Sequence, residues 1–452
     1  MNNRKKQRKI ELLWNKLAKI GNFLIPETIE DYTEFDLFKS PSIKIRNKEC
    51  FFKKELMPLF NELVDEIYKI DTLKTHVTYN TVYTKVKDQI QETLLSNLEG
   101  VSKSFNDIFP VLLTQIANEC KNYDFFWQVK GISISDKFQI DFGGACLFVF
   151  DKNDMVYVEN LEKDVSFRQS VKSTIEESLL NKTCIKCNCY GDIGFAETLG
   201  LNKAQMVLNI FRFMFCYLYP EYVYQNVIKI NLVTNMMVGK DNFISINHDD
   251  KSVTLHWDSS KSARQDYPVN QELINAFKVN CFWDDLVLIL TKDQKNDLEK
   301  ALSNAIYWIG EAQNEWTPQI AFIKFWTAIE ALTYNLPNNK DVTNAIITNV
   351  STLLIYGGYH YFHVDEYWKL RELVSKLYGK RSRIIHDGVL ETVDHNELSK
   401  VCKYSTQMVS EFLFLCSLGY SKFEQVREQA ERLHENHLKI KASREKKEPS
   451  TS

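Results

Sequence analysis

An arginine in the fourth helix predicted near the C-terminus is the first residue that points to chemistry. Five residues of this helix recur at intervals of three or four and so share one side of it: Leu370, Val374, Leu377, Arg381 and Ile384. Arg381 therefore takes a place where the pattern calls for an apolar side chain. Because a guanidinium is rarely buried without a partner, we expect Arg381 to meet a carboxylate or a phosphate.

A histidine follows five residues later, at the predicted end of the same helix. His386 precedes Asp387 and Gly388, and the exposed carbonyls of a last helical turn favour a protonated imidazole. A guanidinium and a titrating imidazole are the groups needed to hold a phosphate and move a proton. Residues five apart on a helix point about 140° away from each other. Arg381 and His386 therefore share a face only if the helix unwinds near Gly388; otherwise each must meet groups of another helix or subunit.

The helix that carries this pair belongs to a predicted all-α bundle over residues 290–420. Strand signals stop near Leu290, and start and stop residues then mark five helices. The first helix follows a Thr-x-x-Gln capping box at Thr291, and the second begins with Thr317 as its cap before Pro318. The third is expected at Val342–Leu354, the fourth after Asp365 as its cap, and the fifth at Glu397–Leu418.

Two segments of this bundle resemble a known family. Residues 377–388, Leu-Tyr-Gly-Lys-Arg-Ser-Arg-Ile-Ile-His-Asp-Gly, resemble the Arg-x4-6-His signature of HEPN domains, and the Apea-like HEPN group in particular. Residues 322–332, Phe-Ile-Lys-Phe-Trp-Thr-Ala-Ile-Glu-Ala-Leu, resemble the helix that precedes the signature in that group. The resemblance covers about residues 290–420.

The resemblance implies a homodimer in which two motifs face each other and form one site for cleaving RNA without a metal or cofactor. The ribose 2′-hydroxyl is then the nucleophile, His386 the general base or acid, and Arg381 the group that stabilises charge on the phosphate. Ser382 stands where many HEPN nucleases carry Asn, Asp or His. The remaining implied residues have supporting or RNA-attracting roles: Glu330, which would orient Arg381 or His386, Tyr378 and Asp387 near the pair, and Lys376, Lys380 and Arg383 towards RNA.

A structural explanation of the same residues stays open. Arg381 then pairs with Glu330 to hold two helices together, His386 caps its helix, and the lysines and arginines form a solvated face. The domain would be an inactive HEPN module for dimerisation or scaffolding. The two alternatives are a ribonuclease effector, in antiviral defence or a toxin-like system, and this non-catalytic module.

The chain upstream predicts an α+β region. Residues 1–120 are expected to be mostly helical, and residues 121–289 to form an α+β sensor or regulatory domain where a trigger ligand or protein could act. Strands are expected within Phe125–Phe150, at Met155–Val158 and at Cys184–Tyr190. Residues 421–452 are expected to be a charged tail, a frayed helix followed by disorder, with His434 and His437 facing solvent.

Bulk composition limits the alternatives. The chain has 452 residues and a net charge of −3, so any contact with nucleic acid must come from a local basic patch. No window predicts a membrane span and no secretory signal follows the basic start, so we expect a cytoplasmic protein with reduced cysteines. Behind that start, apolar residues recur at helical spacing: Ile10, Leu13, Trp14, Leu17 and Ile20. They predict an amphipathic helix docked on the protein, in preference to one lying on a membrane.

Metal chemistry has weaker support. Cys184, Cys187 and Cys189 lie close together, but a second pair of ligands is missing downstream and their alternation suits a strand. His360 and His363 lie in an aromatic loop and are expected to pack or turn rather than to bind metal. A hydrolase site in the α+β region is thus the third and weakest class.

Overall fold

The computed structural model describes residues 3–24, 42–45, 48–135, 139–161, 165–222, 229–230, 243–256, 267–280, 283–315, 317–333, 341–388 and 391–445. These residues are mostly helical, with an α+β portion that contains antiparallel strands. Among them, no helix combines the length and the apolar character needed to cross a membrane. The chain forms two compact units: residues 1–125, 188–201 and 245–252 make the first, and residues 126–187, 202–244 and 253–452 the second.

Four helices and a small sheet form most of the first unit. The helices are α1 (Asn3–Leu17), α2 (Met57–Tyr68), α3 (Tyr79–Leu98) and α4 (Phe105–Ala117); the strands are β1 (Phe23–Leu24), β2 (Ser42–Ile45) and β3 (Lys48–Phe52). β3 pairs antiparallel with both neighbours. Rings fill the space between sheet and helices: Phe52 lies 4.2 Å from Phe23 and 5.1 Å from Phe60 between ring centroids. Trp14 of α1 is only 2% exposed in this core, which confirms the predicted docking of the first helix.

Nine further strands occur in the described residues. They are β4 (Lys121–Lys130), β5 (Ile132–Ile134), β6 (Ile140–Asp141), β7 (Ala145–Phe150), β8 (Lys182–Gly191), β9 (Lys229–Ile230), β10 (Phe243–Asn247), β11 (Ser252–His256) and β12 (Tyr267–Val269). The largest sheet has the order β11-β10-β4-β8-β7-β6, with β9 paired to β4. β7 and β8 are antiparallel, with Ala145 opposite Cys187 and Phe150 opposite Lys182.

A buried aspartate joins two segments of the first unit that are distant in sequence. Helix α7 (Ile193–Leu218) follows β8, and Asp192 precedes it with 2% of its surface exposed. One carboxylate oxygen accepts the N–H of Phe195 at 2.7 Å, in the first turn of α7. The other accepts the N–H of Thr78 at 2.6 Å and its hydroxyl at 3.0 Å, at the start of α3. Asp192 thus caps one helix and ties it to the cap of another.

The second unit holds the remaining helices. They are α5 (Lys152–Leu161), α6 (Val165–Ser178), α8 (Gln271–Asn280), α9 (Trp283–Thr291), α10 (Asp297–Gln313), α11 (Pro318–Thr333), α12 (Val342–Tyr356), α13 (Tyr367–His386), α14 (His395–Ser417) and α15 (Phe423–Glu445). α10 packs on α11 and α14, α11 on α14, and α12 on both α13 and α15. The five helices predicted after residue 290 are α10 to α14, and α11 begins at Pro318 as expected.

The start of α10 differs from its prediction. Thr291 is the last residue of α9, and its hydroxyl donates to the carbonyl of Val287 at 2.7 Å. The capping box lies five residues later: the Asn296 side chain accepts the Glu299 N–H at 3.0 Å, and the Glu299 carboxylate accepts the Asn296 N–H at 2.7 Å. Both sites have the spacing of a capping box, Thr291 with Gln294 and Asn296 with Glu299. Asn is a stronger N-cap residue than Thr.

A glycine lets two helices of the second unit approach closely. A methyl group at Gly310 of α10 would overlap the Asn209 amide of α7. Asn209 in turn accepts from the Arg212 guanidinium at 2.7 Å. Arg212 is 1% exposed, and burial lowers its pKa to about 10. Two polar residues of α7, Asn209 and Arg212, therefore lie in the core, where they pair with each other.

Two glycines that follow α12, Gly357 and Gly358, let the backbone approach α14 closely. A side chain at Gly357 would overlap the Glu411 carboxylate, and one at Gly358 would overlap the ring of Phe414. Glu411 is fully buried and accepts the N–H groups of Gly358 and Tyr359 at 2.6 and 3.1 Å. Burial raises the pKa of Glu411 to about 7, against the opposing effect of these two hydrogen bonds.

Two expectations, one upstream and one downstream of the bundle, are corrected. Met155–Val158, expected as a strand, belongs to helix α5, at whose start the side chain of Asp151 accepts the N–H groups of Asn153 and Asp154. Residues 423–445 of the expected tail form α15, which packs on α12 and in which Val426 and Ala430 are buried; residues 446–452 lie outside the described part. The domain boundaries at residues 120 and 289 stay predictions.

The histidines of α15 do not face solvent as expected. His437 is 6% exposed, and its ring stacks on Tyr367 with centroids 3.8 Å apart and a 4° angle between the planes. His434 Nδ1 lies 2.6 Å from the Tyr367 hydroxyl, and His437 Nε2 bonds to the Tyr356 hydroxyl. Desolvation by burial lowers the pKa of both imidazoles, so α15 is held by aromatic and polar contacts.

Candidate functional site

Helix α13 places Arg381 against helix α11. The buried side of α13 is apolar around it, with Leu377 at 2% and Ile384 at 9% exposure. The Arg381 side chain is 15% exposed. The sequence pattern thus put Arg381 on the correct side of the helix, in a position that only a paired guanidinium can occupy at low cost.

Glu330 of α11 is the partner of Arg381. Its Oε2 accepts from Arg381 Nη2 at 2.7 Å, and its Oε1 accepts from the Tyr378 hydroxyl at 3.0 Å. The Arg381 guanidinium carbon lies 5.7 Å from the centroid of the Tyr378 ring, a cation–π distance. Tyr378 packs edge-on against Trp326 with centroids 5.2 Å apart. Of the two orienting roles foreseen for Glu330, the structure places it on Arg381.

Two buried donors beside this network have no hydrogen-bond acceptor among the described residues. They are Nε of Arg381 and Nε1 of Trp326. A buried N–H without an acceptor costs about 1–3 kcal/mol. Glu330 fixes one edge of the guanidinium through Nη2, so the unsatisfied Nε leaves hydrogen-bonding capacity for a further acceptor.

His386 lies apart from this network. It is the last residue of α13, is exposed, and is followed by Asp387, whose N–H donates to the Arg383 carbonyl at 3.0 Å. The helix stays regular through His386, and the left-handed turn comes only at Gly388, with φ +63°. Arg381 and His386 therefore point about 140° apart. A single copy of the chain does not bring them to one face.

The basic residues expected to attract RNA are partly neutralised. Lys380 Nζ lies 2.5 Å from Glu397 Oε2, with the two side chains 13% and 19% exposed. Arg383 donates twice to Glu391, from Nε at 2.5 Å and from Nη2 at 3.2 Å. This pair holds the pKa of the Glu391 carboxyl below its usual value. Lys376 is exposed one turn before Lys380, so these three residues do not form one solvated basic stripe.

Sequence reasoning missed the acidic partners Glu397 and Glu391. A signal existed for Glu397, since Asp394 and Glu397 have capping-box spacing at the start of α14. Glu397 accepts the Asp394 N–H at 3.1 Å and also binds Lys380. Its second role depends on how α13 and α14 pack, which spacing alone does not give. Ser382 is half-buried and Asp387 exposed, and neither joins the Glu330 network.

The weaker metal alternatives find no support in the described residues. There, no group of three or more His, Cys, Asp or Glu side chains is arranged to hold a metal ion. Cys184, Cys187 and Cys189 are buried along β8, as their alternation predicted. His360 Nδ1 donates to the Ile355 carbonyl at 3.0 Å, and His363 lies 3.4 Å from Asp365.

Comparison with known proteins adds no relative. No family model matches this chain, and neither a curated protein nor a solved structure is significantly similar to it. A function for the candidate site therefore has to be inferred from its own residues.

Proposed function

We propose that the chain is a HEPN-type endoribonuclease that cleaves RNA without a metal ion, with its site on α11 and α13. One observation carries the proposal: an arginine is held by a carboxylate within the apolar side of a helix, keeps a buried donor unsatisfied, and precedes an exposed histidine by five residues. The resemblance of residues 322–332 and 377–388 to the Apea-like HEPN group supports the same function.

The proposed step is a transesterification within RNA. His386 removes the proton of a ribose 2′-hydroxyl, whose oxygen attacks the adjacent phosphorus. The bond from phosphorus to the 5′-oxygen of the next nucleotide breaks, and that oxygen receives a proton from an imidazolium, so the products carry a 2′,3′-cyclic phosphate and a 5′-hydroxyl. Arg381 donates to the phosphate oxygens as negative charge increases on them.

A homodimer reconciles this step with the geometry. Because Arg381 and His386 point in different directions on α13, we propose that the arginine of one copy acts with the histidine of the other. Glu330 then positions Arg381, and Lys376 contacts the RNA backbone. Residues 1–289 are proposed to sense a trigger, a role suited to controlling a nuclease in antiviral defence or a toxin-like system in the cytoplasm; this role rests on analogy of domain order.

A complementation assay tests the composite site. Wild type, Arg381→Ala and His386→Ala are each incubated with RNA in a chelating buffer, and an equimolar mixture of the two variants is refolded together or co-expressed. We expect cleavage by wild type, none by either variant alone, and partial recovery in the mixture, where each heterodimer keeps one intact arginine–histidine pair. His395→Ala, which removes another exposed histidine from α14, is the matched control and should cleave normally.

The second candidate is a non-catalytic HEPN module for dimerisation or scaffolding. The pairing of Lys380 with Glu397 and of Arg383 with Glu391 favours it, because these cations are already neutralised. Ser382, at a position where many HEPN nucleases carry Asn, Asp or His, points the same way. This candidate is accepted if wild type and His386→Ala, both folded, leave RNA intact and have equal effects on a bacterial host before and during phage infection.

A further inference from the structure

The first helix concentrates positive charge that the rest of the chain does not share. Residues 1–20 contain seven Lys and Arg and one Glu, in a chain whose net charge is −3. Two of these cations are used within the first unit. Lys6 donates to the Lys69 carbonyl at 2.6 Å, and Lys9 pairs with Glu62 at 2.7 Å and with Glu66 at 3.1 Å.

The other five cations face solvent. They are Arg4, Lys5, Arg8 and Lys16 of α1 and Lys19, two residues beyond its end; together we call these five residues the basic face of α1. Among the residues that the structure describes, none of the five has a carboxylate partner. Around the helix axis, Arg4 and Arg8 lie opposite the buried Leu13 and Leu17, and Lys5 and Lys16 lie between that side and Leu13. From Arg4 to Lys16 the basic face extends about 18 Å along the helix axis.

The placement of Arg4 and Lys5 does not stabilise the helix. The first turn of α1 contains no acidic residue, and Arg4 and Lys5 stand at its amino end, where the helix dipole is already positive. Cations there are unfavourable to the isolated helix. An external anion, by contrast, would meet both the side chains and the dipole.

We propose that the basic face of α1 binds the phosphodiester backbone of single-stranded RNA. The choice of RNA rests on the proposed function, whereas the match of this face to an extended anion follows from α1 alone. A membrane surface is the competing anion, and burial argues against it. The apolar side chains that could enter a bilayer, such as Trp14 and Leu17, are 2% and 0% exposed in the protein core. Leu12, at 64% exposure, is a single apolar contact within a basic surface, too little to anchor a helix.

The proposal predicts how strongly salt weakens binding. Each phosphate neutralised on a single strand contributes about −0.7 to the slope of log K against log salt, so five contacts give a slope of about −3.5. Affinity should therefore fall about 100-fold between 50 and 200 mM salt. Losing three of the five cations should reduce the slope to about −1.4.

Fluorescence anisotropy with a labelled oligouridylate of about twenty nucleotides measures this directly. The full chain is used with His386→Ala, so that binding is measured without cleavage. In that background the triple variant Arg4→Gln, Lys5→Gln and Arg8→Gln is compared with a matched control. The control, Lys74→Gln, Lys278→Gln and Lys300→Gln, removes the same charge from exposed lysines that each lie beside an aspartate.

We expect the α1 variant to bind at least tenfold more weakly at 50 mM salt and to lose about two units of slope, and the control to match its parent. Equal-length DNA should bind the parent with a similar slope, since phosphate contacts do not read the sugar. The proposal is overturned if the parent does not bind the RNA, if the control weakens binding as much as the α1 variant, or if phosphatidylserine vesicles bind α1 and RNA does not. None of these outcomes depends on whether Arg381 and His386 cleave RNA.

Discussion

Removing the carboxylate of Glu330 should destabilise the second unit by about 3 kcal/mol. Breaking a buried ion pair from one side costs about 3–5 kcal/mol, because the other charge stays behind without a partner. Arg381 and Glu330 are 15% exposed each and 2.7 Å apart, which places Glu330→Ala at the lower end of that range. The change also removes the acceptor of the Tyr378 hydroxyl, at 3.0 Å.

The double variant Glu330→Leu with Arg381→Met gives the sharper test. Replacing both partners by apolar side chains of similar size is often close to neutral, so the double variant should lose only about 1 kcal/mol, the cost of leaving Tyr378 without its acceptor. Urea unfolding of wild type, Glu330→Leu, Arg381→Met and the double variant, followed by circular dichroism and tryptophan fluorescence, gives the coupling free energy between the two side chains. Asp71→Ala, which breaks the exposed pair with Lys74, serves as the control and should not change the midpoint. The reasoning is refuted if Glu330→Ala costs less than about 1 kcal/mol or if the two single effects simply add.

Three further predictions concern the buried polar contacts. Glu411 has a pKa of about 7 in the folded protein, against a value near 4.5 in the unfolded chain. Its contribution to the free energy of unfolding is therefore fully present below pH 4.5 and should decrease by about 3 kcal/mol as the pH rises to 8. Urea titrations at several pH values should show this decrease, and Glu411→Gln should abolish it. Gly310→Ala should destabilise the second unit by about 1–3 kcal/mol through overlap with Asn209, and a melting temperature equal to that of wild type would contradict the packing. Asp192→Ala should cost about 2 kcal/mol because it removes a helix cap and both bonds to Thr78, with hydrogen exchange of the α7 N-terminus as the readout; Asp192→Asn should retain part of the protection.

Helical periodicity and caps predicted the C-terminal helices well, because each signal is local. Pro318 begins α11 as the sequence indicated. The failures are cases in which a tertiary contact decides between local alternatives. Asp151 could start a turn or a helix, and the burial of Met155 and Val158 one turn apart selects the helix. Residues 423–445 have the composition of a charged tail, but Tyr367 of α13 contacts His434 and His437 and so holds α15 on the protein.

The candidate site shows the same division. Arg381 was predicted to lie on an apolar face and to meet a carboxylate or a phosphate, and Glu330 was the carboxylate named. The pairing of Lys380 with Glu397 was not predicted, because it joins α13 to α14 across a loop whose path cannot be read from spacing. Local sequence therefore supplied the candidate residues, while the packing of helices determined which of their charges are paired.

Stability and catalysis can be separated at Arg381, because the two roles respond differently to the same double variant. If Arg381 only holds α11 to α13, replacing it and Glu330 by Met and Leu leaves a folded protein that cleaves RNA as wild type does. If Arg381 also contacts the phosphate, the same folded protein loses cleavage, since no apolar side chain can stabilise the developing charge. Glu330→Gln sharpens the distinction, because its amide oxygen can still accept from Arg381 Nη2 while the ionic attraction is gone. A positioning role for Glu330 then predicts a lower kcat with little change in KM, whereas a purely structural role predicts reduced stability and unchanged kinetics below the melting temperature.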